Sequence, residues 1–118
     1  SSPVARVVVN GRTGSVVMNQ AVTLADSAVA HGNLSVTISS TPLVSQPAPF
    51  PQGSTVVAEK VDISIKQEGG AIMQLQGSAK LADVVKALNA LGATPADLIA
   101  ILQALKVAGS LKAELEII

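Results

Sequence analysis

A chain of 118 residues suffices for one compact domain, and 48% hydrophobic residues with a mean hydropathy of +0.50 supply ample material for a core. Eight basic residues balance eight acidic ones and Phe50 is the single aromatic, so the positive field and stacking faces that nucleic-acid binding needs are both missing. There is no cysteine for a disulfide or thiolate site, and no apolar run reaches the ~18 residues of a membrane-spanning helix.

The opening SSPVARVVVN lacks the charged and apolar regions of a cleavable leader; it is expected to begin a mature chain, a cytosolic one, or a piece of a longer one. From Val4 to Asn19, a β-branched run, a glycine-containing turn and a second β-rich run predict a hairpin with its loop over Gly11–Gly14. In NLSVTIS (33–39), Leu34, Val36 and Ile38 alternate with Ser35, Thr37 and Ser39, which predicts a strand with one buried and one polar face. Residues 40–54 hold four of the six prolines and no period. They are expected to form an extended, Pro-rich loop, because proline cannot donate to a ladder. Strand character resumes over 54–66, where Val61, Ile63 and Ile65 alternate with Asp62, Ser64 and Lys66. QEGG (67–70) reads as a turn and AIMQLQ (71–76) as a short returning strand.

The period then becomes helical. Leu81, Val84, Val85, Leu88 and Leu91 recur at three- and four-residue steps, Ser78 is a candidate N-cap, and Gly92 stands where a helix end favours a left-handed residue. Thr94 is placed to cap a second helix, with Pro95 at its first position and Asp97 near the positive end of its dipole. That helix carries Leu98, Ile99, Ile101, Leu102 and Leu105, a stripe wide enough to be covered on more than one side, and Gly109 stops it. SLKAELEII (110–118) closes as a strand with Leu111, Ala113, Leu115 and Ile117 on one face. The expected architecture is a single α+β domain over 1–118. It has a mixed or antiparallel sheet of about five to six strands, with two consecutive helices packed on one face before the final strand.

Residues capable of chemistry are sparse. His31 is the only histidine, whereas a zinc site takes three or four ligands and a nucleophile needs a neighbouring base; it reads as a turn residue beside Gly32. Glu114 and Glu116 share a strand face with Lys112 and read as a solvated surface, since paired carboxylates act as acid and base only in a cleft that shifts their pKa values. NGRTG and QEGGA lack the spacing and the Lys-Ser/Thr of a phosphate cradle. The Gly-Ala-Thr-Pro junction between the helices supplies a stop, a cap and a start. No catalytic, cofactor or metal site is expected, and the chain does not read as an enzyme.

Association fits better, and near-zero net charge favours it. Candidate contacts are Val44, Gln46, Pro47, Pro49 and Phe50 in the proline loop, together with the exposed face of the hairpin at 6–19. Phe50 either folds back onto its own core or docks on a neighbour. The strands at 4–9 and at the C-terminus are each expected to leave an unpaired sheet edge, which invites pairing with another chain.

Several segments carry a resemblance. ARVVVNGRTGSVVMN, AVAHGNLSVTIS, VSQPAPF and VVKALNALGATPADLIAILQALKVAGSLKAELEII are closely similar to the C-terminal part of the flagellar P-ring protein family, from about Val4 to Ile118. Members are much longer, so the chain is expected to be a C-terminal fragment, with Ser1-Ser2 as a cloning remnant. The resemblance implies a structural role, many copies forming a homo-oligomeric ring that serves as a bushing around the rod. The ring would lie in the periplasm at the peptidoglycan layer, beneath the L ring, with no cofactor. The alternative is a peptidoglycan- or protein-binding periplasmic module that assembles no ring, although a chain with one aromatic is poorly equipped to hold sugars. Some members carry cysteines at positions aligned with Ser27 and Ser110. If those pair, the two positions should lie close, with Cα atoms about 4.4–6.8 Å apart, and the closing strand should run near the segment before 33–39.

Overall fold

A computed structural model describes residues 4–44, 57–77 and 79–118, with 41–44 and 57–60 described by their backbone alone. The described residues form an α+β fold of two sheets and two helices. The predicted hairpin is present as β1 (Arg6–Val9) and β2 (Val16–Met18), antiparallel, joined by a turn in which Asn10 Oδ1 accepts from the backbone N–H groups of Arg12 and Thr13. The last strand, β7 (Glu114–Ile117), pairs parallel with β1, giving a mixed sheet of order β2-β1-β7. β1 is therefore central, and the expectation of an open edge at 4–9 is corrected: among the described residues the open edges of this sheet are β2 and β7. Val7 and Val9 fit that central place, since neither exposes any surface.

The second sheet is antiparallel, β3-β4-β5-β6, built from β3 (Ser27–His31), β4 (Leu34–Val44), β5 (Val57–Gln67) and β6 (Ile72–Gln76). Leu34, Val36, Ile38, Ile63 and Ile65 form its buried face, while Thr37, Ser39, Lys66 and Gln74 lie on the solvent side. β3 is not among the expected strands, and with it the described residues form seven strands divided between two sheets. Its SAVAH sequence puts only Val29 and small or polar groups inward, too weak an alternation to announce a strand. His31 therefore ends a strand, followed by Gly32 at φ +59° in a two-residue hairpin turn.

β4 and β5 continue beyond their neighbours. β3 reaches Ile38 and β6 reaches Asp62, but the β4–β5 ladder runs on to Val44↔Val57. Residues 40–44 are thus a strand, not the start of the expected loop. Pairing with 57–61 supplies what their irregular pattern does not, and Pro42 is tolerated because, among the described residues, no strand pairs with β4 on its other side there.

α1 (Leu81–Ala90) and α2 (Pro95–Val107) follow the apolar spacing. Leu81, Val84, Leu88, Leu98, Ile101, Leu102 and Leu105 are buried, and each such side chain contributes about 1.5–3 kcal/mol by leaving water. Both helices end in the same motif. Gly92 and Gly109, at φ +85° and +83°, donate to Asn89 and Lys106, while Ala93 and Ser110 donate to Leu88 and Leu105. The start of α1 differs from expectation. Its N-cap is Lys80, with no side-chain cap, and Ser78 lies outside the described residues. The Leu81 N–H instead donates to the Val22 carbonyl at 2.9 Å, a partner from a distant part of the chain.

That partner belongs to a seam, residues 22–25. Leu24 N–H donates to Ala79 and Ala25 N–H to Ser110, and Leu24 bridges Leu111. Ser110 is fully buried, its Oγ donating to the Ala25 carbonyl at 2.6 Å. The segment that leads into β7 thus lies against Leu24 and Ala25, the residues shortly before β3. Ser27 Oγ is buried without a hydrogen-bond partner among the described residues.

Candidate assembly surface

Among the candidate contacts, Val44 sits at the end of β4, opposite Val57. Gln46, Pro47, Pro49 and Phe50 lie outside the described residues. The hairpin's outward face is Arg6, Val8 and Val17, with Val17 65% exposed. Across the sheet, Arg6 donates through Nε and Nη2 to Glu114 Oε2 at 3.3 and 3.1 Å. Both side chains are more than half exposed, so the pair orients the outer face and adds little stability. Glu114 and Glu116 lie outward together on β7, as the spacing predicts, though the cation that Glu114 meets is Arg6.

The helix junction is punctuation with one addition. Thr94 Oγ1 accepts from the Asp97 N–H at 3.1 Å and Asp97 Oδ2 accepts from the Thr94 N–H at 3.0 Å, a complete capping box. The other carboxylate oxygen of Asp97 lies 3.3 Å from His31 Nε2, tying the end of β3 to the start of α2. No local pattern could have shown this contact, because it is made by the packing of α2 on β3. The Thr94 backbone N–H, then the Thr94 side chain, hold the Asp97 carboxyl below its ordinary value, with a smaller contribution from His31. A carboxyl depressed in the folded state contributes stability that is present above its unfolded pKa and is lost as pH falls through the folded one. Asp97→Asn is accordingly expected to be less stable than the parent at pH 7, with the difference closing below about pH 4. Urea midpoints at pH 7 and pH 3 check this, and an equal difference at both would refute it.

Among the described residues no three His, Cys, Asp or Glu side chains converge as a metal site would require, and no helix is long and apolar enough to cross a membrane. The fold offers open sheet edges, a paired ribbon extending past its sheet, and an outer face that mixes valines with a few charges. Residues 1–117 match the family model described as "Flagellar P-ring protein", and the chain belongs to that family. It is 66% identical over 114 residues to the flagellar P-ring protein of Thiobacillus denitrificans, covering 97% of this chain and 31% of that one. The P-ring proteins of Albidiferax ferrireducens and Nitrosomonas europaea are 66% and 67% identical over 119 and 116 residues, covering 100% and 98% of this chain and 31% of each relative. The chain thus spans about a third of the length of the relatives it matches.

Proposed function

We propose that this chain is a structural part of the bacterial flagellar basal body, acting within a protein that assembles into the P ring. The observation that carries this reading is the family match over residues 1–117, together with identities near two thirds to flagellar P-ring proteins. In this reading the ring lies in the periplasm at the peptidoglycan layer and serves as a bushing around the rod, with the L ring and the rod as neighbours. The domain performs no catalysis. Two sheets clamped on an aliphatic core give the rigidity a bushing needs, and a surface low in charge limits adhesion to a turning rod. The test is to tag the full-length protein at an exposed turn such as Gly69-Gly70 and examine purified basal bodies by immuno-electron microscopy. Label confined to the periplasmic ring is expected, with that ring absent when the gene is deleted. Complete rings in the deletion strain would overturn the reading.

A further inference from the structure

The three-stranded sheet is open at both ends, and its ends differ. β2 runs antiparallel to β1 and β7 parallel to it, so β2 and β7 are antiparallel to each other. Asn10 donates to Ser15 and Asn19 to Arg6, which sets the phase of the β1–β2 ladder: Val17 faces β1, while the backbone groups of Val16 and Met18 point away. On the other side, Glu114 donates to Ala5 and Ile118 to Val9, so the backbone groups of Leu115 and Ile117 point away from β1. No strand pairs with either edge among the described residues.

We propose that copies of this protein join head to tail through this sheet, β7 of one copy pairing antiparallel with β2 of the next, with Leu115 opposite Met18, Glu116 opposite Val17 and Ile117 opposite Val16. The inference rests on the ring reading above and names the joint that builds the ring. In this register the outward-pointing backbone groups of the two edges meet. Leu115 and Ile117 then continue the apolar face that Val16 and Met18 begin, covering Ile117, which is 43% exposed in the single chain.

Charge selects this joint over its symmetric competitor. Glu116 has no ion-pair partner among the described residues. β7 against β7 would bring the Glu114 and Glu116 carboxylates of two copies together, a destabilising arrangement. β7 against β2 sets Glu116 opposite Val17, an apolar residue, and keeps the carboxylates of the two copies apart. A contact between two different edges is heterologous, the kind that closes a ring of many copies.

The experiment is cysteine pairing in the full-length protein carrying Val17→Cys and Glu116→Cys. Within one copy these positions flank Val8 on opposite strands, about 9.5 Å apart by strand spacing and outside disulfide reach. The 118 residues contain no other cysteine to compete. Mild oxidation of assembled rings is expected to give a ladder of linked multimers with the 17–116 linkage found by peptide mapping, while each single variant stays unlinked. Rings that form without that linkage, or Glu116→Cys alone giving dimers, would overturn the joint and leave the ring reading standing. If the unmodified protein forms no rings, both fall.

Discussion

Leu102→Ala is expected to lower the unfolding free energy by about 2–5 kcal/mol, the cost of deleting a buried leucine and leaving part of its volume empty. Leu102 has no exposed surface, and alanine is the best helix former, so the loss reports packing and not helix propensity. α2 touches β3 of one sheet and β7 of the other. A helix held from both sides cannot sink into a cavity without parting from one sheet, which places the cost in the upper part of that range. The measurement is the urea midpoint at unchanged slope. Val107→Ala, at a position 90% exposed near the end of the same helix, is the comparison and should stay within about 0.5 kcal/mol. A loss below about 1 kcal/mol at Leu102 would refute the double clamp.

Gly14→Val is expected to cost about 2–5 kcal/mol, from two causes that a control separates. Gly14 sits at φ +76°, a left-handed conformation that a β-branched side chain resists. In addition, a Cβ built there lies 3.4 Å from Pro95 Cγ and 3.5 Å from Leu98 Cδ1, so further methyl groups push into the first turn of α2. Gly32, at φ +59°, has nothing within 4 Å of the same point. Gly32→Val therefore carries only the backbone strain, about 1–2 kcal/mol, and the excess at Gly14 measures how firmly the β1–β2 turn seats on α2. Thermal or urea unfolding of the two variants gives that difference directly, and equal losses would show that the turn does not bear on the helix.

The open edges of the three-stranded sheet are legible in the sequence only in part. The alternation of Leu111, Ala113, Leu115 and Ile117 predicts a closing strand, although the chain bends before β7 and only Glu114–Ile117 pair with β1. An open edge is expected at the closing strand and at 4–9, and only the first of these holds. That β7 takes the place beside β1, leaving β2 outside, is a parallel pairing between residues more than a hundred positions apart, and no local pattern encodes it. The contact between His31 and Asp97 was invisible for the same reason.

What the amino-acid order determined by itself is everything with a short period or a local partner. The hairpin turn, both helices with their glycine stops, and the Thr94–Asp97 box each satisfy their hydrogen bonds within a few residues, and the alternation at 33–39 shows its buried face in a period of two. The tertiary structure alone decided the division into two sheets, the strand at Ser27–His31, the extension of β4 to Val44 and the start of α1 at Leu81. In all of these but β3 the backbone groups find partners only when distant segments meet; β3 pairs with β4 across a two-residue turn, but its SAVAH alternation is too weak to mark a strand. Stability there comes from ladder bonds and shared burial, which local propensity does not record.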